Sequence, residues 1–334
     1  MCIVLHHYQQ VFDVKFDGML NFFGGGIPFG YLVELFFMIS GFLAVKTYKD
    51  KGIGCNIASK WLRFYPYAVV ATLYTAVLLL GYKTIFAENL LGREYSLPCY
   101  VTSLLMVHQG WIVEFAPAVN NPTWYLCVLM WVFIVFYIIE CCVRKLKNHQ
   151  EFLRIGIYSL FVIIGALGFH FNFNIPFLYL TDCRGYTAFF IGACLFIINE
   201  KADNKKGFLL GIALIIGTVI SVLILRSKLW YICTFLFFPA VVLISVNVNQ
   251  FGNKFTEYMG NISFEIYLWH IPCFYLLYTI FTTIDISIEH SYLTMACALL
   301  FVIIISSLVN ITIDKKIHSL IMKITLKKRN EEIV

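Results

Sequence analysis

The feature that most constrains this chain is a series of nine unbroken apolar runs, each about as long as a bilayer is thick. They lie near 29–46, 61–82, 122–142, 153–170, 177–198, 207–225, 230–247, 262–282 and 291–313. A helix needs about 20 apolar residues to cross ~30 Å of hydrocarbon. Inside lipid, only helices and closed barrels satisfy every backbone polar group. The runs are continuous and do not alternate with period two, which excludes a strand barrel. The expected fold is all-α, a polytopic transmembrane helical bundle. Composition agrees: 60% of the 334 residues are hydrophobic and 13% are charged. A water-soluble fold could not hide that much apolar surface. With no soluble domain and no repeat in view, residues 1–334 read as a single transmembrane domain.

Residues 1–12, MCIVLHHYQQVF, are apolar but cover only ~18 Å as a helix. The stretch has no basic flank or small-residue cleavage site, so it does not read as a cleavable signal peptide. We count it as a truncated first span, which brings the total to about ten, and expect the natural chain to start upstream. With both termini placed in the cytoplasm, most of the 25 Lys and Arg fall on the inner side. They cluster in 46–63, 144–154, 201–206, at Lys254 and in a tail that runs from Lys315 to Arg329. The positive-inside rule predicts this bias. The longest loop, about 83–121, then lies outside. Its apolar stretch near 99–107 reads as a short helix against the membrane surface.

The net charge of +6 is gathered in these short loops and does not form a nucleic-acid surface. The eleven cysteines show no CxxC spacing. Cys127, Cys194, Cys233 and Cys297 sit within apolar runs, where they read as small hydrophobes and not as metal ligands. No metal site is expected. Gly24-Gly25-Gly26 has no strand before it and reads as a flexible turn.

Ionisable groups within spans are costly, and they are the candidates for function. They are His6 and His7 in the first span, Glu34 in the second, Arg184 near the outer end of the sixth, and Glu265 and His270 in the ninth. Each also has a plain structural reading. An intramembrane His can bond a neighbouring helix, Arg184 can snorkel, and Glu265 lies close enough to the cytoplasmic end to be solvated. Ser40-Gly41 lacks a nucleophile-elbow context and reads as a notch for close helix packing. Taken together, a His can act as general base at neutral pH, a nearby carboxylate can orient it, and a basic cluster at the mouth can hold a phosphorylated donor.

Five stretches resemble the acyltransferase-3 family, in order along nearly the whole chain. IVLHH is similar to the end of an Arg-x10-His element, with His7 in the His position and the Arg falling before Met1. IPFGYLVELFFMISGFLAVK supplies Glu34 and Ser40-Gly41-Phe42. KWLRFYP resembles an Arg-x-x-Arg-Ile-x-Pro element, with Lys60 in place of the first Arg and Arg63 and Pro66 matching. NPTWYLCVLMW matches Trp124 and Leu126, but Leu129 stands where many members carry an acid. GNISFEIYLWHIP matches Gly260, Ser263, Tyr267, His270 and Pro272.

The resemblance implies a stand-alone membrane O-acyltransferase in a bacterial inner membrane. It would move an acyl group, expected to be acetyl, from acyl-CoA to a hydroxyl of a cell-surface carbohydrate or lipid. It implies acyl-CoA as co-substrate and no bound cofactor. Lys60 and Arg63 would meet the donor phosphates, His7 would be the base, and Glu34 would orient His7. Trp124, Arg184 and His270 would line the acceptor side or pore. Two other readings remain at this point. One is a transporter or flippase, although no inverted repeat or paired broken helices are seen. The other is an inactive truncated transferase.

Overall fold

The computed structural model describes residues 1–15, 21–25, 29–49, 51–146, 150–225, 228–248, 252–284, 292–319 and 321. Gly26 of the glycine turn, Arg226 of an outer loop, and the tail residues Lys323, Lys327, Lys328 and Arg329, with Lys147, lie outside these.

Among the described residues nine helices are long and apolar enough to cross a membrane. The chain runs through α1 (Cys2–Phe12), α2 (Leu32–Thr47), α3 (Ile53–Phe86), α4 (Leu97–Leu105), α5 (Trp124–Arg144), α6 (Gln150–His170), α7 (Leu180–Lys201) and α8 (Asn204–Ile224). Next, α9 (Leu229–Ile232) passes through a π-helical stretch, Cys233–Phe237, into α10 (Phe238–Asn247). Then follow α11 (Lys254–Asn261), α12 (Ser263–Thr283) and α13 (Tyr292–Val309), which ends in a second π-helical stretch, Asn310–Asp314.

The expected spans are all present as helices. α1 has 11 residues and is therefore half a span, closed by Asp13 in the left-handed region at φ 50°. α3 is longer than the apolar run near 61–82, at 34 residues. Lys60 and Arg63 lie about two to three turns in from its start, and its ~51 Å length exceeds the hydrocarbon core. The short helix expected in the long loop is α4, with Pro98 in its first turn.

α5 and α7 form the centre, each with 67% of its apolar window buried, whereas α8 has 11% buried and turns its sides outward. α7 packs against both α2 and α6. The α2–α7 contact rests on two glycines. A Cβ on Gly41 would come within 1.9 Å of the Phe189 carbonyl oxygen, and one on Gly192 within 1.9 Å of the Met38 carbonyl oxygen. The backbones therefore touch, and the Ser40-Gly41 notch is a packing device. Ser40 Oγ lies 3.0 Å from the Tyr125 hydroxyl, tying α2 to α5.

Prolines in the spans leave carbonyls without their helical donor. Pro272 has no N–H for the Leu268 carbonyl one turn back, and Asn120 Nδ2 donates to that oxygen at 3.0 Å. Tyr267 donates its hydroxyl to the Pro122 carbonyl. The segment that leads into α5 is thus fastened to α12 at the level of His270.

Glu265 differs from expectation. It is only 6% exposed, and its Oε1 accepts from Asn310 Nδ2 at 2.7 Å. The π-helical end of α13 thus packs against this carboxylate. Glu140 was not singled out from the sequence, yet it is buried in α5 and accepts from Arg154 Nε at 3.0 Å and from the Tyr158 hydroxyl at 2.5 Å.

Candidate functional site

The residues expected to form a site fall into three groups. The first joins α2 and α7. Glu34 is fully buried in the first turn of α2. Its Oε1 accepts from Arg184 Nε at 2.5 Å and from Trp230 Nε1 at 2.7 Å. Its Oε2 accepts from Arg184 Nη2 at 2.9 Å. The guanidinium also donates to the Gly30 carbonyl at 2.9 Å and lies 5.1 Å from the Trp124 ring. The two-pronged fork is the geometry that holds a buried carboxylate best. Glu34, Arg184 and Trp124 are therefore one cluster. The pairing of Glu34 with His7 is corrected: both carboxylate oxygens are committed to the stronger cationic fork and the indole.

The second group is His7 and His270. His7 Nδ1 lies 2.9 Å from Gln10 Oε1, one turn along α1. An amide oxygen only accepts, so Nδ1 carries the proton and Nε2 keeps its lone pair. His270 is fully buried, and its Nδ1 donates to the Ile266 carbonyl at 3.0 Å, which leaves its Nε2 as an acceptor too. That Nε2 has no hydrogen-bond partner. The two rings lie 5.2 Å apart, centroid to centroid, at 33°. His6 turns the other way, with Nδ1 on the Phe22 carbonyl at 2.8 Å. Of the two adjacent histidines, His7 is the one that meets His270.

The third group is Lys60 and Arg63, one turn apart on α3. Lys60 Nζ lies over the Phe133 ring at 4.6 Å. Arg63 lines a cavity of about 550 Å³ together with Glu265, Asn310, Asp314, Lys315 and His318. A second cavity, about 280 Å³, runs from Met1, Met259 and Gly260 past Val4 and Phe36 to His270. Both cavities include residues of the first turn of α12, so they lie at one end of the bundle.

Gln10, Trp230 and Asn120 were not foreseen. Gln10 stands at the i+3 spacing from His7 at which helix side chains meet, so the pattern to find it was present. Trp230 lies 196 residues from Glu34 in an apolar run, and nothing local marks it.

A bundle of apolar helices enclosing a histidine pair and a buried ion pair, open at a charged mouth, defines an integral multi-pass membrane protein with an interior polar site. The model of an acyltransferase domain, acyltransferase-3, matches residues 1–311. This chain belongs to that family and is a membrane acyltransferase. No curated protein and no solved structure matches it.

Proposed function

We propose that the protein moves an acyl group, acetyl in the first instance, from acyl-CoA to a hydroxyl of a cell-surface carbohydrate or a lipid-linked acceptor. The observation that carries this reading is His270 at the inner end of an apolar cavity, with the His7 ring packed beside it, next to a second cavity at the mouth that carries Arg63 and Lys315 alongside Glu265 and Asp314. The donor phosphates sit at this mouth, against Arg63 and Lys315, with Lys60 nearby. The mouth is the cytoplasmic side, where acyl-CoA is made, and both termini lie there. The acyl chain follows the apolar lining inward.

His7 is the general base. Gln10 fixes its tautomer, so Nε2 faces the acceptor with a lone pair. The acceptor hydroxyl gives its proton to Nε2 as its oxygen attacks the thioester carbonyl, and the carbon–sulfur bond then breaks. Glu34, Arg184 and Trp124 form a fixed wall on the acceptor side. A correctly placed base contributes about 10²–10⁴-fold.

Membranes holding the protein are incubated with radiolabelled acetyl-CoA and extracted for alkali-labile label. Label on glycan or lipid that vanishes in His7→Ala, with the variant still inserted, supports the reading. Full transfer by His7→Ala removes His7 from the role of base. No label from the native protein overturns the acetyl-CoA donor.

A further inference from the structure

The apolar cavity poses a chemical problem for the leaving group. When the carbon–sulfur bond of a thioester breaks, the sulfur departs as a thiolate unless a proton meets it. In water this costs little. Between Val4, Phe36 and Ile266, which line the cavity, a bare thiolate would be a buried unpaired charge, which is strongly unfavourable. Some group facing this space must supply a proton.

Two hydroxyls in the lining are already committed. Tyr267 donates to the Pro122 carbonyl, and Ser263 donates to the Gly260 carbonyl at 2.7 Å. His270 is the imidazole that faces the cavity. Its Nδ1 is held by the Ile266 carbonyl, while its fully buried Nε2 has no partner. An unpartnered buried acceptor costs about 1–3 kcal/mol, and this one belongs to a ring that borders the cavity. The His7 ring lies alongside, one turn beyond Val4 on the same face of α1.

From this juxtaposition we infer that His270 is a second catalytic residue, the proton donor to the leaving thiol, supplied by His7. This rests on the acyl-transfer reading above. The steps balance. The acceptor O–H proton passes to His7 Nε2 as the oxygen–carbon bond forms. The proton then moves from His7 to His270 Nε2, and from there to the sulfur as the carbon–sulfur bond breaks. One proton has travelled from hydroxyl to thiol, and both histidines end neutral, as they began.

The test is steady-state transfer from acetyl-CoA with His270→Asn and His270→Gln in purified, monodisperse protein. Asn keeps a donor near the Ile266 carbonyl and removes Nε2. Gln keeps a polar atom near the Nε2 position but cannot carry a proton through. The expected result is a fall in kcat of about 10²-fold in both variants, with KM for acetyl-CoA within about threefold of native. A lining residue would instead raise KM with kcat unchanged, and that outcome overturns the inference. So does native kcat in either variant. If native protein transfers no acetyl group at all, the acetyl-CoA donor proposed above falls. If native protein transfers and the variants match it, only the role of His270 falls.

Discussion

The Glu34 carboxylate shows why a charge in a membrane interior is tolerated. Arg184 and Trp230 fill its acceptor positions, and the guanidinium is itself shared with the Gly30 carbonyl and the Trp124 face. Breaking such a pair leaves one charge buried alone, at a cost of about 3–5 kcal/mol, whereas replacing both partners by apolar groups can be close to neutral. Glu34→Gln should therefore lower the melting midpoint of the solubilised protein markedly. A Glu34→Leu/Arg184→Met double variant should recover most of the loss. Equal midpoints for Glu34→Gln and native protein would show that the fork contributes no stability. Trp230→Phe removes one donor to a charged group and should cost about 1.5–3 kcal/mol, read from the same melts. At this scale the sequence was informative wherever the residue was ionisable, because Glu34, Arg184, His7 and His270 are each expensive in lipid. It was silent on which of them meet. Glu34 and Arg184 are 150 residues apart, and no spacing rule reaches that far.

The apolar periods and lengths of the helices were legible in the chain; their joints were legible only in part. Ser40-Gly41 announced a close approach, but its counterpart Gly192 lay unremarked in an apolar run. Since a Cβ at either position would fall on a facing backbone oxygen, Gly41→Ala and Gly192→Ala should each destabilise by at least the ~1–3 kcal/mol typical of overpacking. Thermal aggregation of the solubilised variants would show it, and a midpoint unchanged in both would mean the helices part without cost. The Pro272 gap was visible in the sequence, while the Asn120 amide that fills it was not, because that bond closes across 148 residues. Burial of Glu265 was missed for a related reason. The group that covers it, Asn310, comes from the far end of the next long helix, where a π-helical turn alters the facing of side chains.

The whole molecule depends on pH through a histidine outside the spans. His108 follows α4 in the long loop, fully buried, with its Nδ1 3.3 Å from Cys127 Sγ. Burial pulls its pKa down to about 4, so it is neutral in the folded protein at pH 7. An unfolded chain would protonate it near 6.5. Between those values the unfolded state binds more protons, so stability is complete above pH 6.5 and declines as pH falls towards 4. The contribution is of order 3 kcal/mol. Melts of native protein at pH 7 and pH 5 should differ by more than those of His108→Gln; equal pH sensitivity would exclude this histidine as the source. Gly41 and Gly192 place two helix backbones in direct touch, so α2 and α7 form the keel of the bundle. The seam between α1 and α12 is held by ring side chains, His7 on His270 and Tyr8 and Phe12 on Phe274. The histidine pair thus lies on a seam made of side-chain contacts alone, while Glu34 and Arg184 sit on the two helices whose backbones touch.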